Sequence, residues 1–519
     1  MKDLQQPGDI AAANRLDVSG DLIQRQHHVL EVAYDSLTAL RQALLGRIAC
    51  FRSPVKYEAL KALAETEEAA AATLDADLHD LVARGLLHHD TREGRFDLHP
   101  IVRRYAYDRL AAPDRTAAHT RLRDYFAAVP EPDKVMRLED LTPVIELYHH
   151  TVRAGQFDEA LTLFRDRLSE VLHFQLGAYQ LRIDLLRTLF PEGEDRPPRL
   201  KDKSAQAWTL NGLANSYSLC GQPRRALPLV EQHNSIYEKR GDEANLAIGL
   251  GNVATQQLVI GVLRTAEANL RRYIELSRRI GKEEENADAY QELGHLLAYR
   301  SAYTESETEL ATALKMFEKR KLVQSQCVVW AYRAERELLL LRSNPDSTLC
   351  TPQSALESAR RALELAEETA RTSFPHERDY VRAHWLLGAA HRVAGPADEA
   401  ERHLHEALER CRRINLVEVE ADILIDIARL RAATGAPDEA LRLAEEALLI
   451  TERSGYVLQG ADARLELAKL ALARGDKTAA EDHAQKARDL ATCDGPPDYT
   501  YKAAYDEAAA LLTELGVSV

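Results

Sequence analysis

Histidine pairs are where spacing first suggests chemistry in this chain. His384 and His391 stand seven apart, so one helix would carry both on a single face, the beginning of a metal site. No third ligand sits nearby in sequence, and the pair reads as packing between repeated helices. His149 and His150 are adjacent and are expected to leave a helix on different sides, too divergent to share a metal. His403 and His405 are expected to diverge as well. Glu283, Glu284 and Glu285 read as solvated charge at a turn. The chain contains no H-E-x-x-H, no G-x-S-x-G and no G-x-x-x-x-G-K-[ST], the loop that cradles phosphates. Its six cysteines (Cys50, Cys220, Cys327, Cys350, Cys411, Cys493) form no C-x-x-C pair, which points to idle thiols in a reducing compartment. The expectation is a chain that is not an enzyme and holds no metal or cofactor of its own. Binding is the chemistry that remains.

Composition suits a binding scaffold. The 519 residues are 45% apolar and 29% charged, with 24 Gly and 19 Pro, a globular and helical balance. Sixty-seven basic against 82 acidic residues give a net charge of −15, which repels a phosphate backbone and makes nucleic acid a poor partner. No run approaches the roughly 18 apolar residues of a membrane helix, and the start lacks a basic and then apolar leader, so no membrane partner and a cytoplasmic location are expected.

The elements that must position any binding group repeat along the chain. Glycines at 221 and 261, and again at 395, 435 and 475, recur every 40 residues, and Gly155 opens the same wording, G-Q-F-D-E-A. Each marks a helical hairpin: the glycine ends one helix, an Asp or Pro begins the next, and a following Ala lets the two approach closely. Turns near 155, 221, 261, 301, 345, 395, 435 and 475 predict about eight hairpins, with an extra helix over 175–189 and a long polar fifth turn over 342–352. In the clearest unit the order is Leu213-Ala214-x-x-Tyr217-x-x-x-Gly221-x-x-x-x-Ala226, which resembles the tetratricopeptide repeat, here with helices about one turn longer than usual. The resemblance implies a right-handed superhelix whose concave groove is lined by the first helix of each hairpin. Positions thirteen, ten and six before each turn then face the groove. They include Trp208, Asn211 and Asn215, Asp288, Gln291 and His295, Arg382, Trp385 and Ala389, and Asp422, Ile425 and Arg429. Asn215 stands in Leu-Ala-Asn-x-Tyr, similar to the wording of repeats that clasp a peptide backbone, whereas the lysines of a carboxylate clamp are not matched. A protein or peptide ligand in the groove is the expected partner.

Residues 27–110 follow another pattern: three helices, then His88–Leu98, two short strands about a polar turn. The run SLTALRQALLGRIACF, LDADLHDLVARGLL and RFDLHPIVRRYAYDRL resembles the winged-helix domain that follows the nucleotide-binding core in STAND signalling NTPases, the group that includes NB-ARC proteins. In that family a Met-His-Asp triplet ends the wing. Leu98-His99-Pro100 occupies its place, keeping only His99, the phosphate-sensing position. The resemblance implies the regulatory and sensor portion of an NTPase, with ATP or ADP reached only through an NTPase domain supplied in cis or in trans, and with oligomerisation on activation. The alternative is a stand-alone peptide-responsive transcriptional regulator whose winged helix contacts DNA or a transcription partner. Eleven Lys/Arg against 13 Asp/Glu over 27–110, and Asp75, Asp77 and Asp80 on the third helix, disfavour DNA. The expected fold is all-α apart from the wing: 1–26 linker, 27–110 winged helix, 111–145 helical connector, 146–497 repeat array, and 498–519 capping helix.

Overall fold

The computed structural model describes residues 30–64, 68–132 and 134–517. The expected linker over 1–26 and the side chains of Glu283, Glu284 and Glu285 lie outside the described residues. The chain forms two compact units that divide between Leu168 and Ser169.

In the amino-terminal unit the order is α1 (Ala39–Ile48), β1 (Val55–Lys56), α2 (Tyr57–Ala64), α3 (Glu68–Ala83), β2 (His88–Asp90), β3 (Arg95–Asp97) and α4 (Pro100–Arg109). The anticipated hairpin is present, and β1 extends it to a three-stranded antiparallel sheet of order β1-β3-β2. Asp90 shapes the hairpin tip, its Oδ1 accepting from the backbone N–H groups of Arg92 and Glu93. Leu45, Leu60, Leu63 and Leu81 fill the core beneath. The acidic face of α3 is engaged at home: Arg41 pairs with Asp77 at 2.7 Å and Asp80 at 3.0 Å. His99 is exposed, and its Nδ1 accepts from the N–H of Ile101 at 3.3 Å, capping α4 ahead of Pro100. The unit continues through α5 (Ala112–Ala127), α6 (Thr142–Arg153) and α7 (Phe157–Arg167), so the first hairpin, α6/α7, packs with the amino-terminal unit.

The second unit opens with a π-helical turn over 171–175 and α8 (Tyr179–Arg187), where a longer helix over 175–189 was expected. Seven hairpins follow: α9/α10 (Lys203–Leu219, Pro223–Arg240), α11/α12 (Glu243–Val259, Leu263–Arg279), α13/α14 (Glu283–Tyr299, Tyr303–Arg320) and α15/α16 (Val323–Ser343, Pro352–Thr372). The last three are α17/α18 (Glu377–Ala394, Ala397–Arg413), α19/α20 (Val417–Ala433, Pro437–Ser454) and α21/α22 (Val457–Ala473, Lys477–Ala491), with α23 (Lys502–Glu514) at the end. First helices such as α11 and α19 carry small or apolar residues on nearly every side because neighbours pack around them; second helices such as α12 and α18 are amphipathic and face outward. The recurrent alanine five residues past each turn is the packing key. Ala226, Ala266, Ala400, Ala440 and Ala480 are fully buried, and Ser306 takes that place in the fourth hairpin, its hydroxyl donating to Gly294 O at 2.6 Å. The fifth turn is shorter than anticipated, because α15 stays helical to Ser343 and Thr351 caps α16 in a reciprocal bond pair with Ser354.

The array closes upon itself. Gly221 and Gly261, at the ends of α9 and α11, meet Val417 and Val457, which begin first helices five hairpins further on. Tyr456 donates to Ser218 O at 3.3 Å, and the N–H of Arg264 donates to Asp494 Oδ2 at 2.7 Å. Arg264 and Arg300 both lie over the Tyr499 ring. Gly221 has φ +74°, and a Cβ there would lie 2.5 Å from Val417 Cγ1; Gly435 has φ +83° with open space around it. Ala at either position bears the left-handed backbone strain of about 1 kcal/mol, but only Gly221→Ala also collides with the closing contact. Thermal unfolding should therefore show a clearly larger loss for Gly221→Ala than for Gly435→Ala. Equal losses would mean the closure contributes nothing to stability.

Candidate functional site

Closure turns the concave groove into a lumen walled by the first helices. Two cavities occupy it, of about 540 and 550 Å³, within the range that holds small ligands or short peptide segments. Between them runs a narrow waist of about 50 Å³. His295 and Tyr332 form this waist, stacked at 3.8 Å between ring centres, with Glu335 3.0 Å from His295 Nε2. Burial pushes the Glu335 carboxyl up, yet His295 and the Tyr299 hydroxyl more than offset it, so it is held below its usual range.

The first cavity is polar. Asn215, Asn252, Gln256, Gln291 and Gln324 line it with side-chain amides, beside Tyr332, Arg378 and Arg382. Some of these groups already have partners. Asn252 Nδ2 donates to Asn211 Oδ1 at 2.8 Å, Gln324 Nε2 to Asp379 Oδ2 at 2.9 Å, and Arg378 Nη2 to Glu418 Oε2 at 2.9 Å. Others do not. The Asn215 side chain makes no hydrogen bond among the described residues, and Arg382 makes no side-chain hydrogen bond but lies 5.2 Å from the Tyr332 ring centre and acts on the Glu335 carboxylate through its charge. The Oε1 atoms of Gln256 and Gln291 are buried without a donor, although Gln291 Nε2 donates to Glu292. An unpaired buried acceptor costs about 1–3 kcal/mol.

The second cavity is apolar along Leu338, Leu386, Ile425 and Leu470 and crossed by a dense ion network. Trp385 lines it with its indole N–H committed to Asp426 Oδ2 at 2.9 Å, so this tryptophan is a buried wall element and not an exposed anchor. Arg429 is likewise engaged, 3.3 Å from Asp426 and 3.7 Å from Glu466. Arg342 reaches Asp462 and Glu507, each at 2.6 Å, and the Tyr501 hydroxyl at 3.1 Å, tying α15 to α21 and α23. Asp422 faces this group from α19, and burial together with Glu335 and Asp462 raises its carboxyl well above the usual range.

Of the positions expected to face the groove, Asn215, Gln291 and Arg382 line the first cavity, His295 the waist, and Trp385 and Arg429 the second cavity. Asn211 faces the Asn252 amide beside them. Trp208, half-buried, packs near Gly212 and lines neither cavity. Sequence reasoning missed Asn252, Gln256, Tyr332, Arg378 and Glu418. A usable signal was present: inward polar residues pair one repeat apart, as Asn211 does with Asn252, His295 with Glu335, Arg378 with Glu418 and Trp385 with Asp426, all 40 or 41 residues on.

One histidine expectation needs correction, and another pair gains a neighbour. His149 and His150 do converge, because both side chains bend toward His119 on α5, and the three can bring ring nitrogens within 4.8 Å of one another. His384 and His391 also gain a third histidine from the next helix: His403 Nδ1 is 2.8 Å from His384 Nδ1, its ring stacks on His391, and Glu399 completes a second possible cluster with His391 and His403.

Residues 379–452 match the tetratricopeptide repeat family. No curated protein matches the chain in sequence. Among solved structures, a STAND protein with a tetratricopeptide-repeat sensor from Pyrococcus horikoshii is 15% identical with a TM-score of 0.41; the match covers 91% of this chain and 65% of that one. The chain thus spans about two thirds of that protein's length. A Rap protein complexed with competence and sporulation factor is 15% identical with a TM-score of 0.44, over 66% of this chain and 93% of that one. Human IFIT1 bound to m7Gppp-AAAA is 13% identical with a TM-score of 0.39, over 92% and 86%. The chain is mostly helical and built of repeated helical hairpins, with the tetratricopeptide match over residues 379–452, and among its described residues no helix is long and apolar enough to cross a membrane.

Proposed function

We propose that the array is a non-catalytic recognition element that takes an extended peptide, or a peptide-like segment of a protein, into its lumen. The observation that carries this reading is the wall of the first cavity. A peptide backbone alternates N–H donors and C=O acceptors, and this wall offers the complement: unpaired acceptors on Gln256 and Gln291, an uncommitted amide on Asn215, and the Arg382 guanidinium for a carbonyl or carboxylate. Such a lining selects backbone more than side chains, with specificity left to the apolar second cavity.

Within the same reading, the array is the ligand-sensing half of a STAND-type signalling system, and residues 27–110 are its winged helix. The order of helices and strands there and the place of His99 directly after β3 support this. An NTPase domain in cis or in trans would supply ATP or ADP, with His99 as the sensing residue. Ligand binding would then be coupled to oligomerisation through the amino-terminal unit.

The test begins with peptides selected from a random library on the full chain. Calorimetry on the best of them should give one site per chain. Asn215→Ala should weaken it about tenfold, equivalent to about 1.4 kcal/mol, while Thr308→Ala on the exposed face of α14 leaves affinity unchanged. Equal binding by Asn215→Ala, or failure to select any peptide, would count against the reading.

A further inference from the structure

Helices α5 and α6 pack side by side in the amino-terminal unit, and three histidines meet between them. The Nδ1 atoms of His119 and His150 are 2.9 Å apart, and His149 brings a ring nitrogen within 4.8 Å of both partners. Tetrahedral coordination with metal–nitrogen bonds of about 2.0–2.1 Å places ligand nitrogens about 3.3 Å apart. Small rotamer shifts separate the first pair to that distance and draw in the third.

The outer nitrogens make this more than a cluster. His119 Nε2 is 3.0 Å from the Tyr107 hydroxyl, and His150 Nε2 is 3.7 Å from Glu146 Oε2. Both His150 Nε2 and Glu146 Oε2 are buried without a hydrogen-bond partner, while the other carboxylate oxygen of Glu146 accepts from Ser53 at 3.5 Å. A metal-bound imidazole commonly gives its outer N–H to a carboxylate or other acceptor, which fixes the tautomer and strengthens the ligand. Here Glu146 and Tyr107 stand where those acceptors belong. Without metal, the Nδ1 pair needs a proton between its two nitrogens; with neutral His150 protonated on Nε2, toward Glu146, that proton sits on His119 Nδ1, and His119 Nε2 accepts from Tyr107. Metal binding moves that proton to His119 Nε2, and the Tyr107 oxygen becomes the acceptor, a reversal a hydroxyl permits. Phe51 and Phe126 pack on the His150 ring and hold it in place. His149 is only half-buried and leaves one side of the site open to solvent.

We propose that His119, His149 and His150 form a site for a zinc-class divalent transition metal that clamps α5 to α6, with Glu146 and Tyr107 as positioning residues and a fourth position for solvent. Three neutral nitrogens select zinc, cobalt, nickel or copper over magnesium and calcium. Burial foremost, then Arg153 and Arg115 at His119, and the neighbouring imidazoles followed by Arg52 at His149 and His150, hold all three rings below their usual range. Burial raises the Glu146 carboxyl, while Arg52, the Ser53 hydroxyl and Arg103 act to lower it.

The probes are Zn²⁺ and Co²⁺ added to the full chain after chelation. The proposal predicts one equivalent bound tightly at this site, tetrahedral Co²⁺ absorption bands in the visible, and a metal-dependent rise in the unfolding temperature. His149→Ala should lose at least 100-fold in affinity and the Co²⁺ bands, and Glu146→Gln should lose about 10–100-fold. His391→Ala, which removes the other histidine cluster, should leave the bands unchanged. His149→Ala is decisive even if variants of the buried His119 do not fold, because His149 is half-exposed. No uptake at stoichiometric metal, or uptake and bands undiminished in His149→Ala, would overturn the proposal.

Discussion

Replacing Arg342 by alanine should cost the repeat array about 3–5 kcal/mol, the loss that follows when one partner of a buried ion network is removed. Arg342, in the last turn of α15, holds Asp462 on α21, Glu507 on α23 and Tyr501 just before α23, so its loss leaves Asp462 only Tyr501 and a distant Arg429, leaves Glu507 only Lys469, and loosens the closure. Burial raises the Glu507 carboxyl, but Arg342 and then Lys469 more than offset this and hold it down at about 2. A carboxyl depressed in this way contributes stability that is present above its unfolded value of about 4.3 and is lost as pH falls toward 2. The gap between Arg342→Ala and the parent, measured by urea unfolding, should therefore narrow over that acid window. Arg361→Ala, which removes an exposed pair with Glu364, should cost less than about 1 kcal/mol at any pH. Similar small losses for both variants would show that the array does not depend on its closing network.

The second large effect is on binding. The double variant Gln256→Met, Gln291→Met keeps side-chain length but removes both unpaired acceptors. Two lost hydrogen bonds of about 1.4 kcal/mol each predict about 100-fold weaker peptide binding. Stability should move by no more than about 1 kcal/mol, because relief of the buried Gln256 oxygen is set against loss of the Gln291 bond to Glu292. Weak binding with intact stability separates a ligand role from a packing role. Unchanged affinity would remove these two residues from the recognition surface.

The hairpins were legible in the sequence because their determinants are local. A glycine, a helix start and a small residue within ten positions specify each turn, and Ala226, Ala266, Ala400, Ala440 and Ala480 all sit fully buried where that pattern puts them. Closure was not legible. Gly221 and Val417, or Arg300 and Asp498, are nearly 200 residues apart and share no local signature. Helical phase sets Trp385 on the concave face, and the bond to Asp426 one repeat on makes it a buried wall element there. The histidine cluster was missed for a related reason. Phase on one helix separates His149 from His150, and only the packing of α5 against α6 supplies His119 as the point on which both converge.

The most direct test of the central claim, that this array reads a peptide from inside its lumen, is to map where a bound peptide lies. A library-selected peptide carrying a photoreactive residue can be crosslinked to the full chain and the attachment sites read by mass spectrometry. The account predicts attachment on the lumen-facing first helices α9, α11, α13, α15 and α17, at residues such as Asn252, Gln291 and Tyr332. Attachment confined to the outward second helices, the even-numbered ones from α10 to α22, would contradict it.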